Sequence, residues 1–144
     1  VQTCALPISA LIMGASGVQM GSRFLLTDEC SVHSNVKEKI ILANDTDSIV
    51  TGFLSGHGGV RCLKNKFTNH FLELEKSGAP QDQLNNLAIG TNKMSAVDGD
   101  VENGAVQVGQ SLTNLNKIQP VAKVIEELIA ETIKILTTAP TLVK

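Results

Sequence analysis

Apolar side chains recur at intervals of three and four residues after Pro120, and this is the clearest periodicity in the chain. Such spacing predicts an amphipathic helix, and proline is tolerated in its first turn. Charged residues, among them Lys123, Glu126 and Lys134, take the remaining positions. We expect the apolar stripe to pack in a core or against another subunit. The stripe consists of Val121, Val124, Ile125, Leu128, Ile129 and Ile133.

Shorter helices are predicted where capping and helix-breaking residues bracket an apolar face. The predicted helices cover residues 9–14, 36–43 and 65–76, and a short stretch after Pro80 that includes Leu84 and Leu87. The helix over 65–76 places Phe67 and Phe71 on one face and stops before Gly78. The polar run 27–35 is rich in capping residues and leads into the second of these helices.

Strands are predicted by β-branched alternation and by apolar runs between turn residues. Residues 47–54 read as a strand, 56–59 as a turn, and 60–63 as its antiparallel partner. Residues 90–104 are small and polar, with turn signals at 98–100 and 103–104. Residues 104–112 fit either a strand or a helix of small residues.

The segment 14–24 is an apolar run between glycines, which predicts a buried strand ending in the turn Gly21-Ser22. Bare backbone N–H groups and a hydroxyl at this turn suit a phosphate monoester. In a parallel α/β barrel, the last strands place such a turn at the active face. Glycines also end ordinary strands, so a plain strand end is the alternative.

Composition excludes several classes of function. The 144 residues contain 3% aromatic residues, no Trp or Tyr, and a net charge of −2, so a base-stacking, basic nucleic-acid surface is not expected. The longest apolar run is too short for a membrane span. The three cysteines, Cys4, Cys30 and Cys62, are widely spaced, which predicts no metal site and favours a reducing, cytoplasmic environment.

Residues 1–8 follow none of these patterns, and Val1-Gln-Thr-Cys-Ala-Leu-Pro-Ile8 resembles the translation of a DNA-sequencing adapter. We expect these residues to be an artefact and residues 9–144 to be the C-terminal part of a longer domain. A signal peptide is the alternative, but the segment lacks a basic start and a cleavage site of small residues.

The motif Gly17-Val-Gln-Met-Gly-Ser-Arg-Phe24 resembles the last-strand phosphate motif of the nitronate monooxygenase (2-nitropropane dioxygenase) and enoyl-acyl-carrier-protein reductase II family. Three further blocks, at 33–39, 60–68 and 99–110, resemble the reductase branch. The likeness runs from about residue 10 to about residue 130. The combination of the first motif with Arg61-Cys-Leu-Lys-Asn-Lys66 and Gly99-Asp-Val-Glu-Asn-Gly104 is more specific to reductases than the first motif alone.

The resemblance implies an α/β fold that is the C-terminal portion of a (β/α)₈ TIM barrel, with a last strand, an inserted cap-like segment at 27–104 and terminal helices. It implies FMN as cofactor, contacted by Gln19, Met20, Gly21 and Ser22, with Ser22 where the family often has threonine. The family's catalytic histidine would lie upstream of residue 1, so we expect this chain to be inactive by itself.

The activity implied is reduction of a trans-2-enoyl thioester on acyl carrier protein by NAD(P)H through FMN, in fatty-acid biosynthesis, by a homodimer in the cytoplasm. Two alternatives stay open. One is nitronate monooxygenase, which uses FMN and O₂. The other is a non-catalytic α/β interaction module that uses the long terminal helix.

Other polar residues have ordinary explanations. We expect His33 to start a helix, His57 to lie in an exposed loop, and Arg61, Lys64 and Lys66 to be a solvated face. This basic face could instead meet the phosphates of NADH or an acidic carrier protein. Turn chemistry explains Asp98, Asp100 and Glu102, and Gln110 is a weak cofactor-side candidate.

Overall fold

A computed structural model describes residues 5–56 and 58–138, with side chains from residue 9 onward. The chain divides into two compact units. The first combines the residues up to Cys30 with those from Lys117, and the second is Ser31–Asn116. The helices are α1 (Ala5–Ile12), α2 (Ser22–Leu25), α3 (Ser34–Leu42), α4 (Lys66–Lys76), α5 (Gln81–Ala88), α6 (Thr91–Ala96) and α7 (Val121–Thr138). The strands are β1 (Ser48–Thr51) and β2 (Val60–Leu63), and a 3₁₀ turn covers Asp45–Asp47.

The second unit contains the predicted hairpin. Strands β1 and β2 are antiparallel, with Ser48 opposite Leu63 and Thr51 opposite Val60, and β1 is shorter than predicted. The segment 104–112 is neither a regular strand nor a helix. It runs extended beside β2, where the Leu63 N–H donates to the Val106 carbonyl oxygen at 2.9 Å. The fold class is therefore α/β, as predicted, in the part of the chain that is described.

The core of the second unit lies between β2 and the helices α4 and α5. The rings of Phe67 and Phe71 are 5.9 Å apart and tilted by 58°. Removal of these apolar side chains from water is the main force that holds the helices against the sheet. The buried cluster consists of Cys62, Phe67, Phe71, Leu84 and Ala105.

Asn65 joins the start of α4 to the turn at residues 101–104. Its side-chain carbonyl accepts from the Thr68 N–H at 3.0 Å, and the Thr68 hydroxyl accepts from the Asn65 N–H at 2.9 Å. This reciprocal arrangement caps the helix. The amide nitrogen Nδ2 of Asn65 donates to the carbonyl oxygens of Val101, at 2.8 Å, and Gly104, at 2.7 Å. Asn65 is itself buried.

Helix α6 lies within residues 90–104, where the sequence pattern predicts only the two turns at 98–100 and 103–104. Gly90 has φ +79°, a left-handed conformation that glycine adopts freely, and it lets the chain reverse into the helix. The hydroxyl of Ser95 donates to the Ala105 carbonyl oxygen at 2.7 Å. Ser95 is thus satisfied inside a packed helix that the small, polar character of the segment does not indicate. The turns at 98–100 and 103–104 are confirmed.

The first unit contains α1, α2 and α7, and α1 contacts α7. The prediction of a buried strand over 14–24 is wrong. Residues 17–20 have no regular secondary structure, no strand within the described ranges pairs with them, and Val18 is 41% exposed. A β-strand needs a hydrogen-bonded neighbour to form a ladder, and an apolar run alone does not supply one.

Helix α7 confirms the predicted C-terminal helix, but half of the six residues in its apolar stripe are exposed. Val124 is buried, at 4% exposure, whereas Ile129 and Ile133 are 53% and 58% exposed. Packing in a core therefore applies to Val124 and not to these two isoleucines. Ile125 and Leu136 are exposed as well.

The predicted domain boundaries remain predictions. Residues 1–4 and 139–144 lie outside the described residues, and residues 5–8 of the adapter-like segment belong to α1, which begins and ends earlier than the helix predicted at 9–14. The adapter resemblance itself stays a prediction. The second unit overlaps the segment 27–104 for which an insertion is predicted. Among the described helices, none is both long enough and apolar enough to cross a membrane.

Candidate functional site

The turn at Gly21 and Ser22 lies at the start of α2 in the first unit. Gly21 precedes the helix with φ −104° and ψ −69°, and its carbonyl oxygen accepts from the Phe24 N–H at 2.9 Å. Gly21 is exposed, and a Cβ placed on it would have no atom within 4 Å. The turn therefore leaves open space beside the backbone. Backbone N–H groups in the first turn of a helix are natural partners for an anion.

The two residues before the turn differ in exposure. Gln19 is exposed and Met20 is half-buried. Both lie in the irregular segment 17–20, which pairs with no strand among the described residues. Their predicted contact with FMN stays a prediction, as does that of Gly21 and Ser22.

Arg23, directly after the turn, is buried at 8% exposure. Its guanidinium donates to the Leu26 carbonyl oxygen at 3.0 Å, the Lys117 carbonyl oxygen at 3.2 Å and the Oε1 of Gln119 at 2.5 Å. Burial lowers the pKa of Arg23 from its ordinary value, and the Glu127 carboxylate acts in the opposite direction. The guanidinium remains charged and ties α2 to residues 117–119.

Backbone hydrogen bonds join the same two segments. Thr27 and Gln119 form an isolated parallel bridge. The Gln119 N–H donates to the Leu26 carbonyl oxygen at 3.3 Å, and the Asp28 N–H donates to the Gln119 carbonyl oxygen at 3.2 Å. The Thr27 hydroxyl donates to the Phe24 carbonyl oxygen at 2.8 Å. At the end of α2, the Leu26 carbonyl oxygen is therefore satisfied by the distant Gln119, and the Phe24 carbonyl oxygen by the nearby Thr27 hydroxyl.

Two carboxylates fix the start of α7. Glu29 accepts from the Val121 N–H at 2.9 and 3.0 Å, which supplies an acceptor to an N–H that has none within the helix. Glu127 accepts from Gln119 Nε2 at 3.0 Å and from Lys117 Nζ at 3.1 Å. The hydrogen bonds from Lys117 and Gln119 lower the pKa of Glu127. Arg23, Gln119 and Glu127 thus form one connected chain of side chains.

The remaining candidates lie in the second unit. His33 is the N-cap of α3, where its Nδ1 accepts from the Asn35 N–H at 3.1 Å, as predicted for a helix start. His57 is outside the described residues. Arg61 donates to the Ser48 hydroxyl at 3.1 Å, and Lys66 begins α4. Lys64 is exposed and, with Lys39, lines an open groove of about 330 Å³.

The acidic residues at 98–102 make local contacts, as turn chemistry predicts. Asp98 pairs with Lys93 at 2.8 Å, and Glu102 pairs with Lys39. Asp100 accepts from the Asn103 side chain and from the N–H groups of Glu102 and Asn103, and these bonds lower its pKa. Across the described ranges, no group of three His, Cys, Asp or Glu residues is arranged to hold a metal ion.

Two cysteines and one glutamine complete the set. Cys62 is buried, and desolvation raises the pKa of its thiol to about 11. Cys30 is half-buried with a free thiol, and Cys4 lies outside the described residues. Gln110 is exposed, so nothing about its surroundings marks it as a cofactor ligand.

Comparison with known proteins places these features in a family. The family model described as "Nitronate monooxygenase" matches residues 8–131. The chain is 32% identical over 130 residues to a probable nitronate monooxygenase of Staphylococcus haemolyticus, covering 90% of this chain and 36% of that protein. It is 30% identical over 127 residues to one of Bacillus subtilis, covering 88% and 36%. The solved structure of FabK from Thermotoga maritima matches with a TM-score of 0.90 at 31% identity, over 99% of this chain and 45% of that one.

These matches define the chain as part of an oxidoreductase family, in agreement with the resemblance of its motifs. The chain belongs to the nitronate monooxygenase family. It spans about 36% of the length of the curated relatives that it matches.

The residues that anchor the turn are not predicted by sequence patterns. Arg23 lies within the motif that carries the resemblance, and a single charge beside an apolar run is the signal that could have identified it. Its partner Gln119 is 96 residues away, and no periodicity connects the two.

Proposed function

We propose that the turn Gly21-Ser22 holds the phosphate of FMN in a flavin-dependent oxidoreductase. The observation that carries the proposal is the open space beside Gly21 at the start of α2, next to a buried arginine that fixes the backbone. Backbone N–H groups and the Ser22 hydroxyl are suitable donors for phosphate oxygens. Membership of the nitronate monooxygenase family supports this choice of ligand over a free phosphate.

The reaction that we propose for the whole protein is reduction of an enoyl thioester on acyl carrier protein. When bound, FMN supplies hydride transfer from NAD(P)H to the enoyl group. The similarity to FabK, at a TM-score of 0.90, supports this reaction. In this reaction, residues of the present chain bind and orient the phosphate end of the cofactor. The same proposal has three further parts. The chain forms the C-terminal portion of a (β/α)₈ barrel, the whole protein is a homodimer, and its location is the cytoplasm.

Nitronate oxidation with O₂ is the second candidate, and it is favoured by the names of the curated relatives. The two candidates share the phosphate turn and differ in the substrate. If the protein is a reductase, it binds the acidic acyl carrier protein with an affinity that falls as the salt concentration rises. If it oxidises a small nitronate, no binding of the carrier protein is expected. Titration of the chain with acyl carrier protein at two salt concentrations therefore separates them.

Turnover by the chain alone is not expected. The described parts of the first unit, which holds the turn, contain no histidine and no tyrosine to donate a proton. An FMN-treated chain that oxidises NADH in the presence of an enoyl thioester, or consumes O₂ with a nitronate, would overturn this expectation and identify the reaction.

A comparison of FMN with riboflavin tests the phosphate turn directly, because riboflavin lacks only the phosphate. We expect the chain to bind FMN more tightly than riboflavin. Gly21→Ala fits without a clash in the free chain, yet its methyl group would occupy the space that the phosphate needs. We expect Gly21→Ala to weaken FMN binding at least about tenfold, because a displaced phosphate loses its charge-assisted hydrogen bonds to the turn. Riboflavin binding should stay unchanged.

Gly17→Ala is the matched control, since its Cβ also meets nothing within 4 Å and Gly17 precedes the turn by four residues. It should bind both flavins like the unmodified chain. Equal affinity of the unmodified chain for FMN and riboflavin, or binding of neither, would disprove the phosphate assignment.

A further inference from the structure

Helix α2 is too short to be stable by its own hydrogen bonds. It contains four residues, and an isolated helix of that length does not persist in water. The C-cap N–H of Leu26 donates to the Arg23 carbonyl oxygen at 3.3 Å, which is a long contact. The conformation of the preceding turn must therefore be set by groups outside the helix.

Arg23 is the side chain best placed to set it. Its three acceptors lie on two segments of the first unit, the end of α2 and residues 117–119. A guanidinium presents its donors in a rigid planar fork, so three simultaneous hydrogen bonds fix its orientation. Because Arg23 directly follows Ser22, its position also limits the orientation of the Ser22 peptide.

Glu127 provides the opposite charge through the Gln119 amide. The Oε1 of Gln119 accepts from Arg23, and its Nε2 donates to Glu127. These two bonds settle which way the amide points, because each end has a partner of the matching type. The arrangement compensates a buried cation without a direct ion pair, and α7 thereby holds α2 in place.

We propose that Arg23, Gln119 and Glu127 are positioning residues that hold the Gly21-Ser22 turn in its phosphate-receiving conformation. This inference rests on the proposed function for the identity of the ligand. The proposal that the three side chains fix the conformation of the turn does not depend on which ligand the turn binds. The three residues act through the backbone and need not touch the cofactor.

Two variants of the full chain test the inference. Arg23→Lys keeps the charge but loses the fork, and we expect FMN binding to weaken about tenfold, the order of magnitude that outer partners of ligating groups contribute. Glu127→Gln keeps an acceptor for Gln119 but loses the charge, and we expect a smaller loss, about fivefold. Riboflavin binding should stay unchanged in both variants.

Glu126→Gln is the control for Glu127→Gln. Glu126 is the neighbouring acidic residue on α7 and pairs with Lys123 at the surface, outside the three-residue chain. It should bind FMN like the unmodified chain. Equal loss of FMN and riboflavin binding in the Arg23 and Glu127 variants, together with a lower melting temperature, would reduce the role of these residues to overall stability and overturn the inference.

A second readout does not involve flavin. The backbone amide resonances of Gly21 and Ser22 in ¹⁵N-labelled chain should shift in Arg23→Lys and Glu127→Gln and stay in place in Glu126→Gln. Unchanged resonances in both positioning variants would overturn the inference even if FMN binds. If the unmodified chain binds no flavin, the proposed function fails, and these resonances alone decide whether the three residues position the turn.

Discussion

Replacing Asn65 with alanine removes the side chain on which the start of α4 and the turn at residues 101–104 both depend. The substitution takes away the acceptor of the Thr68 N–H and the donor to two carbonyl oxygens, those of Val101 and Gly104. Gly104 is buried, so its carbonyl group would lose its partner away from water.

The expected loss of stability follows from these contacts. Loss of an N-cap side chain costs about 1 kcal/mol. A buried carbonyl group left without a donor costs about 1–2 kcal/mol, and the half-buried one at Val101 costs less. We therefore expect Asn65→Ala to lower the free energy of unfolding by about 3 kcal/mol.

Urea unfolding followed by circular dichroism measures this loss, because the chain has no Trp or Tyr for fluorescence. Asn44→Ala is the matched control. Asn44 also caps a turn in a reciprocal arrangement, with Asp47, but it is exposed and its loss should cost about 1 kcal/mol or less. Equal losses in the two variants would show that the bonds to Val101 and Gly104 contribute nothing.

Three further predictions concern the stability of the second unit and the reactivity of Cys30 and Cys62. Gly104→Ala places a Cβ 2.5 Å from the backbone nitrogen of Ser95, and we expect urea unfolding to show a loss of about 1–3 kcal/mol, against no loss in Gly17→Ala. Burial raises the pKa of Glu75, but hydrogen bonds from Ser55 and from backbone N–H groups outweigh the effect of burial. The pKa of Glu75 is therefore lowered from its usual 4.5. A carboxyl group with a lowered pKa stabilises the fold above its unfolded-state pKa and loses that effect as the pH falls through the folded-state value. Glu75→Gln should therefore flatten the dependence of the unfolding free energy on pH below about 4.5, and an unchanged slope would contradict this. Finally, iodoacetamide at pH 8 should modify Cys30 in the folded chain and spare Cys62 until urea is added, because Cys62 is buried and its thiol pKa is about 11. Mass spectrometry locates the label. Labelling of Cys62 in the folded chain would refute its burial.

Local sequence signals predict most of the second unit. Helix α4 begins after Asn65 and ends before Gly78, and the hairpin of β1 and β2 forms around a glycine-rich turn, both as predicted. These elements are determined by residues within a few positions of one another. Helix α6 escapes prediction because its polar residues find acceptors in Ala88 and Ala105, which the local pattern does not show.

The candidate site is less accessible to such prediction. The chemical character of Gly21 and Ser22 is visible in the sequence, but the strand predicted to lead to them requires a pairing partner that the pattern cannot supply. Arg23 contacts Gln119 across 96 residues, and only the folded structure brings the two together. Long-range polar contacts of this kind carry no periodicity, so the residues that hold the turn come from the structure alone.

The division of the chain into two units also has a consequence for the order of its synthesis. The second unit is continuous in sequence, whereas the first is built from both ends of the chain. In a nascent chain, residues 31–116 can therefore fold before Gln119 and Glu127, which complete the contacts of Arg23, have left the ribosome. The turn at Gly21 is translated before the second unit and is fixed after it. Its ability to bind a ligand would mark a chain whose C-terminal helix has been made.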